Sequence, residues 1–372
     1  MSAILPALLA GLIGFLITEY RSRRPLHPPA DKWVREKFVP VAYGLVPREA
    51  LDASRAGPPA PPYRLKEMQA VAQAAWAGDW RPAAAYVAAA GDDWDSRWSR
   101  TEVLQQIADE DDAWLEAWRS EQPDNCDAAT VHAGLLLHRA WEIRGVEYAP
   151  MVPAERMQQF QALLPQAMNA AHAAAELDPR NPGPWVVMIT AARAMSYSHK
   201  QFRGLWEGLT ARAPHHYMGH CQALQYWCGK WHGSDRRMLA FARRAVGNAP
   251  AGSPLAGMFL HALQELDTRG GTGREQARKS RRTLARITQS LAQVDPDDEN
   301  LPQLRHLLAY YLLQARRHEA ALEQFRLIGR WCGAFPWTES DDPVAAFDNA
   351  RGRAAKRTKP QDHHKGAAAM RR

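Results

Sequence analysis

The sequence predicts an all-α fold: an α-solenoid of stacked helical hairpins, with an N-terminal hydrophobic helix and a disordered C-terminal tail. Three observations predict it. From Leu65 to about Gly329 apolar residues recur at spacings of three and four rather than two, the period of a helix with one buried stripe. Breakers interrupt the run at Gly78, Gly91, Pro123, DPRNPGP (178–184), Pro214, Gly233, Pro250, GGTG (270–273) and Pro296. Pro179, Pro214 and Pro250 each follow a helical stretch, 35 and then 36 residues apart, which suits helical pairs that bury their apolar faces by stacking.

Taken in order, the chain opens with MSAILPALLAGLIGFLITEYRSRRP. No charge occurs from Ala3 to Thr18, and Met1 to Tyr20 reaches the roughly 17 to 25 residues a membrane span needs. No basic residue precedes the run, unlike a secretory signal. Arg21, Arg23 and Arg24 follow it, which places the carboxyl side in the cytoplasm. Residues 1–24 are thus expected to be a membrane anchor, giving a single-pass protein of the cell membrane with most of the chain cytoplasmic; the alternatives are a buried or interfacial helix and, behind it, a signal peptide. Residues 25–64 read as a proline-rich connector (PLHPPADKW, GPPAPPY), in which Asp31 caps a short helix through KWVREKF. Residues 65–350 form the helical domain.

The last segment, 351–372, holds eight basic residues against the single acid Asp362, so it accounts for the whole net charge of +7. The charge therefore belongs to a tail expected to be disordered, not to a broad nucleic-acid-binding face. Such a tail serves as a solubilising end or as a contact for anionic lipid or nucleic acid. Cys126, Cys221, Cys228 and Cys332 are scattered, which fits a reducing compartment. Cys221 and Cys228 on one helix would stand about 10.5 Å apart along its axis, too far for a disulfide.

In AAWAGDWRPAAAYVAAAG, Gly78 takes the turn and Trp80, Ala83, Val87 and Ala90 follow. In LLAYYLLQARRHEAALEQFRLI, Leu308, Ala309, Leu312, Ala321, Phe325 and Ile328 take equivalent positions, and in ELDPRNPGPW a proline turn leads into Trp185. On these stretches the chain resembles a divergent tetratricopeptide-like array. The segment CGKWHGSDRRMLAFARR is similar to an element of bacterial helical-repeat proteins of unassigned function. The resemblance implies an extended binding surface and no chemistry. Departures from the pattern are Ala309 and Val71 in place of the usual glycine, a gap of 46 residues from Pro250 to Pro296, and residues 92–160, which fit the spacing poorly.

The stretch richest in reactive side chains is HHYMGHCQALQYWCGKWHG (215–233). His216 and His220 are four apart, as are Cys228 and His232, the latter pair across Gly229. A zinc site of His216, His220, Cys228 and His232 would need the turn to fold the last histidine back. The competing reading is a packed stripe of Tyr217, His220, Cys221, Leu224 and Cys228. His220 and its neighbour Cys221 point about 100° apart on a helix, a poor nucleophile–base pair. GKWHGSDRRM reads as a turn with Ser234 or Asp235 as cap, and the phosphate-loop order of residues is absent. DDWDSRW (92–98) and ADEDDAWLEAW (108–118) read as a solvated face, or as an acidic rim for a basic partner segment. Most of the fourteen tryptophans read as core, with an exposed few able to anchor a peptide. The expected function is a scaffold for a protein partner, with no catalytic residue and no cofactor implied. The alternative is a metal protein or enzyme centred on His216, His220, Cys228 and His232.

Overall fold

The structure, a computed structural model, describes residues 31–145 and 151–360. Among the described residues the fold is all-α, with seventeen α-helices, short 3-10 helices and one isolated parallel bridge between Asp52 and Trp331. In chain order the helices are α1 Lys32–Glu36, α2 Pro62–Trp76, α3 Arg81–Ala88, α4 Trp94–Glu110, α5 Ala113–Glu121 and α6 Cys126–Arg144. There follow α7 Ala154–Leu177, α8 Gly183–Ala194, α9 His199–Arg212, α10 Tyr217–Tyr226, α11 Asp235–Asn248 and α12 Met258–Gly270. The last five are α13 Gly273–Lys279, α14 Arg281–Leu291, α15 Leu301–Gln314, α16 His318–Ile328 and α17 Pro343–Ala355.

The expectation of a single-pass membrane protein is corrected. Among the described residues no helix is long and apolar enough to cross a membrane. The two longest, α7 with 24 residues and α6 with 19, carry Glu155, Arg156 and Glu176, and Asp127, Arg139 and Glu142, respectively. Segment 1–24, on which the expectation rested, lies outside the described residues, as do 361–372.

The chain divides into two compact units. One is Ala60–Ala242; the other joins the described residues up to Pro59 with those from Arg243 onward. In the first unit α2 and α3 pair across Gly78, whose φ of +87° suits glycine at the turn. Trp80 stacks on Trp118 with ring centres 5.9 Å apart, and Trp114 lies 6.4 Å from Trp118. Met68, Val71, Leu104, Ile107, Val131 and Leu135 complete that core. Helix α6 packs between α4 and α7, and α8 packs on α7, α9 and α10.

The prolines stop helices at a constant offset. Helices α7, α9 and α11 end at Leu177, Arg212 and Asn248, each two residues before Pro179, Pro214 or Pro250. A proline disfavours the α region in the residue before it. Asp178 (φ −135°, ψ 101°) and Ala213 (φ −139°, ψ 83°) have left it accordingly.

In the second unit the expected connector is part of the body. Asp52 N–H donates to Arg330 O and Cys332 N–H to Asp52 O, each at 2.8 Å, and Gly333 N–H donates to Arg55 O at 2.9 Å. Arg326 Nε reaches Tyr43 O at 2.9 Å. These bonds, donated and accepted by the connector's backbone, fasten residues 43–55 to Arg326 of α16 and to the loop that follows that helix. The expected tail boundary at 351 falls inside α17. Arg351 is fully buried, bonding Asp348 Oδ1 at 2.9 Å and Val46 O at 2.8 Å, and Lys356 pairs with Asp31 at 3.0 Å. Asp31 also caps α1, accepting from Trp33 N–H at 2.8 Å. The aromatic core here is Phe325, Trp337 and Phe347, with ring centres 5.2 to 5.9 Å apart.

One pattern recurs in both units. Side chains from elsewhere in the unit cap the exposed carbonyls at helix carboxyl ends. Arg48 donates to Val34 O of α1 (2.7 Å), Arg100 to Tyr86 O of α3 (2.6 Å) and Arg139 to Ala108 O of α4 (3.4 Å). Arg156 donates to Ile143 O (2.6 Å) and Arg144 O (2.9 Å) of α6, Arg286 to Gly247 O of α11 (2.9 Å), and Arg278 to Gln314 O of α15 (3.2 Å). The last four carbonyls of a helix have no partner within it, and a cation there also meets the negative end of the helix dipole. Arg156→Met should therefore strip two carbonyl caps from α6 and lower stability by about 1 to 3 kcal/mol. The check is the urea midpoint, with Arg156→Lys falling between the two.

Candidate functional site

The stretch 215–233 resolves into α10 and a turn, with its histidines at helix ends. His216 is the cap of α10, its Nδ1 accepting from Gly219 N–H at 3.2 Å. Asp95 of α4 takes the next orphan donor, Tyr217 N–H, at 2.8 Å. Because His216 Nδ1 accepts, the ring is neutral, and its 3.5 Å approach to Asp95 is not an ion pair. His220 Nδ1 bonds His216 O at 2.9 Å, and the ring sits edge-on to Trp206 at 4.8 Å. At the far end, His232 Nε2 donates to Arg193 O in the last turn of α8 at 2.8 Å, and His199 Nε2 meets His232 O at 2.6 Å.

His216 and His220 are thus neighbours, while His232 serves a different helix end and Cys228 is wholly buried. Among the described residues, the His, Cys, Asp and Glu side chains that gather three ligand atoms within 4.8 Å are instead Asp109, His138 and Glu142. All four cysteines are free thiols. Burial pushes Cys126 and Cys332 up to about 11, and Cys221 higher still. In the turn, Ser234 caps α11 through Arg237 N–H at 3.2 Å. Gly233 lies so close to Trp227 O that a β-carbon would collide with the backbone.

The acidic stretches do several jobs. Asp93 caps α4, accepting from Ser96 N–H at 3.1 Å, and Asp111 accepts from Ala113 N–H at 3.0 Å. Asp112 pairs with Arg139 at 2.8 Å, and Asp109 faces His138 at 3.6 Å. Glu110, Glu121 and Asp124 stay exposed. None of the fourteen tryptophans is exposed; each is buried or half-buried. Several serve as platforms: Arg193 stands 5.2 Å from the Trp141 ring and 5.1 Å from Trp231, and Arg212 stands 4.4 Å from Trp185. Sequence reasoning missed His138 and Glu142. Their four-residue spacing was the available signal, but it names no third partner.

In the second unit His306 is held from both sides. Its Nε2 donates to Ala56 O at 2.8 Å and its Nδ1 accepts from Trp337 Nε1–H at 2.9 Å. Both bonds require the neutral ring. Compared with known protein families, curated proteins and solved structures, the chain finds no match.

The buried imidazoles set a pH dependence. Burial lowers His216, His220, His261 and His306 to about 4. The unfolded chain takes up those protons near 6.5, so this stability is complete above that pH and is lost as pH falls toward 4. Asp95 has the opposite sign: burial raises it to about 6, a contribution present below the ordinary carboxylate range and lost as pH rises through 6. Nearly half of the Asp95 side chain (46%) is open to water, which screens the effect, so the four histidines dominate. The unfolding free energy should drop by several kcal/mol between about pH 7 and pH 4.5. His306→Phe should lower stability at neutral pH and reduce the acid slope by about one proton, read from denaturant titrations across that range.

Proposed function

We propose that the chain is a helical-repeat protein whose helix pairs stack as an α-solenoid and hold a protein partner without catalysis. One observation carries the reading: the recurrent stop in which α7, α9 and α11 each end two residues before a proline, at intervals of 35 and 36 residues. Helices delimited at that period are too short to bury an apolar face alone, and they gain stability by stacking on the next pair. Most positions that carry the tetratricopeptide resemblance support it: Ala83, Val87, Leu308, Ala309, Leu312, Ala321 and Phe325 are buried, while Ala90 and Trp185 are half-buried.

The state of the reactive groups supports a binding role. Thiols raised to about 11 or above are poor nucleophiles at neutral pH. His216, His220, His232 and His306 are committed to backbone groups. The exposed acids Glu110, Glu121 and Asp124, at the ends of α4 and α5, suit a partner segment rich in lysine or arginine. Affinity capture of the crosslinked full-length chain should recover a stoichiometric partner with such a segment. Its recovery should fall several-fold on raising the salt, and again in Glu110→Lys/Glu121→Lys/Asp124→Lys, a variant whose circular dichroism stays native. No stoichiometric partner, or one indifferent to the charge reversal, would overturn the reading.

A further inference from the structure

Asp109, His138 and Glu142 converge from two helices. Asp109 lies in the last turn of α4, while His138 and Glu142 stand one turn apart on α6, which packs against α4. His138 Nε2 is 3.6 Å from Asp109 Oδ2 and 3.6 Å from Glu142 Oε1, and the three donor atoms lie within 4.8 Å of one another. Two ligands each about 2.1 Å from a shared ion stand this far apart when they subtend about 120° at it.

The surroundings favour a cation. The last turn of α4 contains Asp109 and Glu110 and no basic residue, so carboxylates sit at the negative end of the helix dipole. Arg139 compensates on one side only: its Nε is 3.6 Å from Asp109 Oδ1, while its Nη1 holds Asp112 at 2.8 Å. That contact orients the Asp109 carboxylate and leaves Oδ2 turned toward His138. Glu142 adds a second negative charge with 51% of its side chain exposed.

We propose that Asp109, His138 and Glu142 bind a divalent transition ion, with Zn2+ the best fit. One imidazole nitrogen and two carboxylate oxygens suit zinc and its neighbours better than calcium or magnesium, which take oxygen ligands. Three protein ligands leave the remaining coordination to water on the side where Glu142 is exposed. The bound ion would pin the end of α4 to the carboxyl-terminal part of α6.

The test titrates the full-length chain, stripped with a chelator, with Zn2+ alone in a calorimeter, and with Co2+ in a spectrophotometer. One equivalent of Zn2+ should bind, should be lost in His138→Ala, and should weaken by roughly tenfold or more in Glu142→Gln. Glu142 is exposed, so that second variant reads binding without risk to the fold. The Co2+ complex should lack a thiolate charge-transfer band, which separates this site from one built on the cysteines. No equivalent bound, binding unchanged in both variants, or a thiolate band would each overturn the proposal.

Discussion

The rest of the structure depends on satisfying the backbone at the ends of many short helices. A helix leaves four amide donors and four carbonyls unpaired. When helices are brief and packed closely, those ends fall against protein rather than water, where an unpaired polar group costs about 1 to 3 kcal/mol. Polar side chains meet that demand here. Arginines from neighbouring elements cover carboxyl ends, as Arg156 does for α6 and Arg286 for α11. Amino ends are covered by acids, amides and hydroxyls, such as Asp31, Asn125 and Ser198, and in α10 by a histidine.

That demand explains how a stretch crowded with histidine and cysteine comes to serve helix ends. An imidazole is compact and flat, and in its neutral form one nitrogen donates while the other accepts. At His306 both nitrogens are used, joining Ala56 O to Trp337 Nε1. At His216 the acceptor nitrogen closes a helix cap. Such rings must stay neutral, and burial that lowers them to about 4 keeps them so. The same burial raises the thiols. Groups suited to chemistry are thereby held as structural parts, which supports the proposed binding role.

Much of the fold was legible in the sequence because its signals are local. A proline acts on the residue beside it, so Pro179 and Pro214 marked the ends of α7 and α9 directly. Asp31 as a cap followed from its residue type before a helical stretch, and the buried positions Ala309, Phe325 and Ile328 followed from the tetratricopeptide resemblance. What the sequence hid depends on partners far along the chain. Proline-rich residues before 60 read as a connector because nothing in their pattern shows that Ala56 O meets His306 or that Val46 O meets Arg351. Arg351 read as tail charge because its ion pair with Asp348 and its carbonyl partner form only in the folded unit. The acidic run 108–112 read as a solvated face because the helix was drawn through it. The structure ends α4 at Glu110 and turns Asp109 toward α6 instead.

The end of α4 is where the capping economy of the fold is least balanced. Trp76 Nε1 donates to Ile107 O at 3.2 Å and Arg139 to Ala108 O at 3.4 Å, so the carbonyls have donors. The charge does not close in the same way. Asp109 and Asp112 share the guanidinium of Arg139, which also meets the Ala108 carbonyl, while Glu142 faces His138. At the ends of α6 and α11 an arginine, Arg156 or Arg286, covers the carbonyls. A local departure of this kind marks a place that serves something other than stability. Here the departure is an excess of negative charge beside an imidazole nitrogen, held on two packed helices, and the group that would balance it is a dication.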